Sequence, residues 1–95
     1  MPAYVVMIRE ETSDPDEMAR YREAAPRARE GHDVSPVAFY GAQDVLEGPD
    51  FEGAAILAFP DMNAARAWYH SPAYQRARRH RQAGSETRVF IIDGV

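Results

Sequence analysis

The chain has 95 residues, 45% of them hydrophobic and 27% charged, with a net charge of −4 and no cysteine. That length and balance predict a single folded domain over residues 1–95 and exclude a disordered chain. The absent cysteines exclude disulfides, thiolate metal sites and cysteine nucleophiles, and the negative charge argues against a nucleic-acid partner, which needs a basic footprint.

Ala3 to Glu10 is a nearly continuous apolar run with β-branched residues and predicts a strand. Ser13-Asp14-Pro15-Asp16-Glu17 then reads as a helix start: Asp14 can cap, Pro15 fits the first helical position, and two carboxylates favour the positive end of the helix dipole. Met18, Tyr21, Ala25 and Ala28 share one face of this helix, which should loosen at Pro26 and end at Gly31. Pro36 to Leu46 predicts a weaker second strand, interrupted by Gly41, and Glu47-Gly48-Pro49-Asp50 a turn. Ala54 to Phe59 predicts a third strand. Asp61 caps a second helix through Trp68, Ser71-Pro72 interrupts and restarts it as far as about Ala83, and Gly84 stops it. Thr87 to Ile92 predicts the last strand.

The order β-α-β-β-α-β is that of a ferredoxin-like α+β fold, an antiparallel four-stranded sheet with both helices on one face and the first and third strands central. Two helices cover only one face, yet the strands are apolar on both. Tyr4, Val6 and Ile8 oppose Ala3, Val5 and Met7, and Ala54, Ile56 and Ala58 oppose Ala55, Leu57 and Phe59. Four strands about 4.8 Å apart and about 17 Å long leave on the order of 330 Å² open. That is a large patch for a monomer, and a second copy packed sheet to sheet is the expected cover. No apolar run is long enough to span a bilayer, and Met1-Pro2-Ala3-Tyr4 lacks the pattern of a leader, so no membrane partner and a cytoplasmic location are expected.

The chain resembles a known family in Tyr4-Val5-Val6, Tyr21, Val45-Leu46-Glu47-Gly48, and above all in the stretch from Phe59-Pro60-Asp61-Met62 through Ala64-Ala65-Arg66-Ala67-Trp68-Tyr69 and Ser71-Pro72-Ala73-Tyr74-Gln75 to Arg81. These are similar to the domain-of-unknown-function 1330 family, in the dimeric α+β-barrel superfamily. The resemblance implies the ferredoxin-like fold and a homodimer whose sheets pack as an α+β barrel. It implies no settled activity, since the wider superfamily includes monooxygenases, lactone isomerases and stress-response proteins. Where family members tend to carry Arg before a Gly-Gly pair this chain has Phe39-Tyr40-Gly41, and where many carry Glu before the last Phe of the third strand it has Ala58.

Tyr21, Trp68, Tyr69 and Tyr74 are candidates either for plain core or for an aromatic pocket between helices and sheet. Arg81 continues the inward stripe Tyr74, Ala77, and could offer its guanidinium to a ligand carboxylate or pair with an internal Asp or Glu. The run Arg76, Arg78, Arg79, His80 reads as a solvated helix end. His32, His70 and His80 lack ligand spacing, so no metal is expected, and no cofactor either. Pro2 resembles the catalytic proline of tautomerases but is preceded by Met1. Glu10, Glu11, Asp14, Asp16 and Glu17 belong to the helix start rather than to a catalytic carboxylate pair. The residues therefore point to a homodimeric module for a small, partly apolar and, if Arg81 is engaged, anionic metabolite. The alternative is a cofactor-light enzyme of the monooxygenase or isomerase kind.

Overall fold

The structure, a computed structural model, describes residues 1–95. Strand β1 is Ala3–Thr12, helix α1 Pro15–Ala24, β2 Ser35–Phe39, β3 Gly53–Phe59, α2 Met62–Tyr69, α3 Pro72–Gly84 and β4 Ser85–Asp93, with a short 3₁₀ helix at Pro26–Arg29. The Asp14 carboxylate accepts from the backbone N–H groups of Asp16 and Glu17, and Pro15 takes the first helical position. Pro26 has no N–H for the carbonyl of Arg22, so α1 stops at Ala24 and the expected single helix becomes two pieces. One hydroxyl both ends α2 and begins α3: Ser71 Oγ donates to the Trp68 carbonyl at 2.7 Å and accepts from Tyr74 N–H at 3.2 Å.

The second strand is shorter than its sequence suggests. It ends at Phe39 rather than Leu46, because Tyr40 adopts a left-handed conformation (φ 52°) and turns the chain out of the sheet. Val45 and Leu46, whose apolarity extended the expected strand, lie in irregular backbone, and Leu46 is exposed. β1, β3 and β4 each extend slightly beyond their expected ends.

The sheet order is β2-β3-β1-β4, antiparallel throughout, with β1 and β3 central. Val6 stands opposite Ile56 and Phe90, and Met7 opposite Ala55 and Val89. This register sorts the side chains by face. Ala3, Val5, Met7, Ala55, Leu57 and Phe59 are buried beneath the helices, against Met18, Tyr21, Ala28, Ala65, Trp68, Tyr74 and Ala77. Tyr4, Val6, Ile8, Ala54, Ile56, Ala58, Phe90 and Ile92 form the opposite face, where Phe90 and Ile92 are exposed. No helix is long and apolar enough to cross a membrane.

The end of α3 is clamped to the start of α1. The Gly84 carbonyl accepts from Ser13 N–H (2.8 Å) and Asp14 N–H (3.1 Å). A Cβ at Gly84 would stand 2.9 Å from the Asp14 carbonyl oxygen and 2.9 Å from Glu17 Cβ. Gly84→Ala should therefore destabilise by about 1–3 kcal/mol through overpacking, read as a lower urea midpoint. An unchanged midpoint would show that the two helices separate freely there.

Candidate functional site

Between the helix layer and the sheet lies a cavity of about 370 Å³, within the size range of small-molecule sites. Met7 and Leu57 of the central strands form its floor, and Tyr21, Ala25 and Pro26 its helical wall. Trp68, Phe39 and Tyr40 add aromatic surface, and Arg9, Arg22 and Arg29 contribute the charge; no Asp or Glu lines it. The polar residues come from separate elements: Arg9 from β1, Arg22 from the last turn of α1, Arg29 from the end of the 3₁₀ helix, Tyr40 from the exit of β2.

Arg9 is the most constrained of the three guanidinium groups. Its Nε donates to Glu52 Oε1 at 3.1 Å, and its Cζ lies 4.7 Å from the centroid of the Tyr40 ring. Glu52 also accepts from the Thr12 hydroxyl (2.6 Å) and Thr12 N–H (2.7 Å). The hydroxyl first, then that backbone N–H and Arg9, hold the Glu52 carboxyl below its ordinary range. Its contribution to stability is thus present above the ordinary glutamate pKa and lost only as pH falls through the lower folded value. Gly53 makes room for Tyr40: a Cβ there would stand 2.9 Å from Tyr40 Cδ1. Arg29 lies 5.8 Å from the Phe39 ring centroid.

Deeper in the wall, the Tyr21 and Tyr74 hydroxyls share a hydrogen bond of 2.9 Å, and Tyr21 Oη lies 3.8 Å from Met7 Sδ. Burial, reinforced by Tyr74, pushes the Tyr21 phenol far above its ordinary value, so it stays protonated. Burial also raises the Tyr40 phenol, against the opposing charge of Arg9. Trp68 packs between Tyr74 (centroids 4.1 Å apart) and Phe59 (5.5 Å), and its buried Nε1 has no hydrogen-bond partner.

The chain matches, over residues 2–95, the model of a domain of unknown function (DUF1330). It belongs to the DUF1330 family. Among solved structures it is similar to a protein of unknown function from Rhodopseudomonas palustris, at 20% identity over 99% of this chain and 82% of that one, TM-score 0.73. A dimeric ferredoxin-like protein of unknown function from Jannaschia sp. CCS1 matches at 17% identity over 99% and 100%, TM-score 0.70. SnoaB, a cofactor-independent oxygenase from Streptomyces nogalater, matches at 13% identity over 99% and 92%, TM-score 0.57. No curated protein matches its sequence. At these identities the shared property is the ferredoxin-like fold.

In this DUF1330 protein the residues singled out from sequence are not all in one wall. Tyr21 and Trp68 line the cavity. Tyr74 stands behind them, bonded to Tyr21 and stacked on Trp68, and Tyr69 packs against Tyr74 at 5.5 Å, outside the lining. Arg81 is 4% exposed and also outside the lining, yet close enough that its charge partly offsets the effect of burial on Tyr21 and Tyr40. It makes no ion pair and no side-chain hydrogen bond, and its Nε is buried without a partner. Sequence reasoning missed Arg9, Arg22, Arg29, Phe39 and Tyr40. One signal was available for Arg9, which extends the inward alternation Ala3, Val5, Met7 with a charged residue. His80, read as part of a solvated helix end, instead bonds Glu17 at 2.7 Å and ties α3 to α1.

Proposed function

We propose that this DUF1330 protein is a cytoplasmic homodimeric binding module that holds a small, partly apolar anion between its helices and its sheet. The observation that carries the reading is the charge of the cavity wall: three arginines and no carboxylate, in a chain whose net charge is −4. Tyr21 and Trp68 would contact the apolar part, Tyr74 and Tyr69 would brace them from behind, and Arg81 would add an unpaired positive charge beneath. The homodimer is supported by the apolar open face of the sheet and by dimeric proteins among those of like fold.

Titration with a fluorescent naphthalenesulfonate should show one saturable site per chain, emptied by competing apolar carboxylates. Ala25→Trp, which fills the cavity from the end of α1, should abolish it. Binding that survives Ala25→Trp, or no saturable binding by any apolar anion, would overturn the reading.

The fold likeness to SnoaB favours a second reading, a cofactor-light enzyme. The protonated Tyr21 phenol, beside the Tyr40 phenol, the Trp68 N–H and the arginines, is one of the groups in the wall able to donate to an oxyanion. Oxygen uptake or isomer formation with a panel of quinols and lactones, lost in Tyr21→Phe, would establish it over simple binding.

A further inference from the structure

We infer that Arg9 is the ligand's direct anchor, with its two terminal nitrogens taking a carboxylate carried on an aromatic body, and that Glu52 is the residue that positions it. The inference rests on the binding reading above and specifies its chemistry.

The geometry around Arg9 is that of a guanidinium fixed in advance. A free arginine side chain loses considerable rotamer freedom when it engages a ligand. Here that loss has already been taken in folding. Glu52 holds Nε, the Tyr40 ring lies against Cζ, and Gly53 leaves space for that ring. Glu52 is itself held by both donors of Thr12, which draw its charge toward the backbone. Only Nε is consumed. Neither Nη atom of Arg9 has a hydrogen-bond partner, and Arg9 and Tyr40 both line the cavity. Two parallel N–H groups with no partner match the two oxygens of a carboxylate.

The other two guanidinium groups carry the same fork, but no hydrogen bond or ion pair holds either of them in place. Arg22 lies in the last turn of α1 and Arg29 in the last turn of the 3₁₀ helix, where each offsets the partial negative charge of the carbonyl end. Those ends also set the charge of the ligand. The cavity is bordered by Ala25 and Pro26, at the carbonyl end of α1, and the short 3₁₀ helix that begins there opens on Pro26, which has no N–H. No α-helix N-terminus therefore supplies the N–H groups that a phosphate dianion favours. A singly charged carboxylate fits this wall better. The surrounding rings, Phe39, Tyr40, Tyr21 and Trp68, provide the surface for an aromatic body.

The test is a set of titrations with 2-naphthoate, cinnamate and the neutral 2-naphthamide on the wild-type chain and on Arg9→Lys and Glu52→Asp. Thermal melts followed by circular dichroism confirm that each variant is folded. Wild type should bind the carboxylates about ten- to a hundredfold more tightly than the amide, the range set by hydrogen bonds to a charged group. Arg9→Lys should remove most of that preference, weakening carboxylate binding far more than 2-naphthamide binding, because a point charge cannot reproduce the planar fork. Glu52→Asp, which keeps the charge but shortens the reach to Nε, should weaken carboxylate binding in the same direction and amide binding much less, which a general loss of structure would not do. A Glu52→Asp chain with undiminished carboxylate preference would overturn the positioning role. Equal binding of naphthoate and naphthamide, or an Arg9→Lys chain with undiminished preference, would overturn the anchor while the binding reading stood. Failure of all three probes to bind a wild type that still takes the naphthalenesulfonate would overturn the anchor alone, and failure of the sulfonate as well would overturn both.

Discussion

Trp68→Ala should lower the stability of the chain by about 3–5 kcal/mol, a large part of the roughly 5–15 kcal/mol typical of a native domain. Trp68 is 2% exposed and joins three parts of the core: it stacks on Tyr74 of α3, on Phe59 of β3, and closes one wall of the cavity. Its indole N–H has no partner, so truncation removes packing and leaves no abandoned hydrogen-bond acceptor. The loss is thus one of volume and contact. Because the neighbouring cavity already leaves space on one side, the void would merge with it rather than collapse. Trp68 is the sole tryptophan, so unfolding of the variant should be followed by far-ultraviolet circular dichroism. A urea midpoint shift worth less than about 1 kcal/mol would mean that the ring is not part of the packed interior.

Val6→Asp should convert a dimer into a monomer without unfolding the chain. Val6 stands at the middle of the open sheet face, opposite Ile56 on one neighbouring strand and Phe90 on the other. In a single chain its side chain is half-buried, so a carboxylate there can still reach water. In a sheet-to-sheet pair it would be desolvated without a partner, at a cost of several kcal/mol per ion. Light scattering coupled to size exclusion should give twice the 10.7 kDa chain mass for wild type and one chain mass for Val6→Asp. Val5→Asp is the control. Val5 is fully buried on the helix side, so that change should unfold the chain instead. A monomeric wild type would refute the pairing.

The fold was largely legible because its signals are local. The Asp14-Pro15 and Ser71-Pro72 starts, the break at Pro26 and the apolar runs of the central strands each depend on a few adjacent residues. β2 was misjudged at its far end because Val45 and Leu46 are apolar, while the left-handed turn that ends the strand depends on Tyr40, a residue with no special preference for it. The site was legible only in part. The stripe Tyr74, Ala77, Arg81 is buried as its helical spacing requires, and Tyr21 meets Tyr74 across the two helices. The charge of the cavity could not be read in the same way. Arg9, Arg22 and Arg29 are separated in the chain and converge only through the packing of three elements, and Arg22 and Arg29 sit among other arginines that face solvent.

The contrast between the −4 net charge and the arginine-lined cavity has a kinetic consequence. An anion approaching from a distance meets a repelling molecule and feels attraction only within about 8 Å of the guanidinium groups, the screening length at physiological ionic strength. Added salt weakens the distant repulsion and the local attraction together. The capture rate should therefore vary little with ionic strength, unlike the steep decline expected where a whole protein steers its ligand. Selectivity would then lie in how slowly the correct anion leaves, not in how fast any anion arrives.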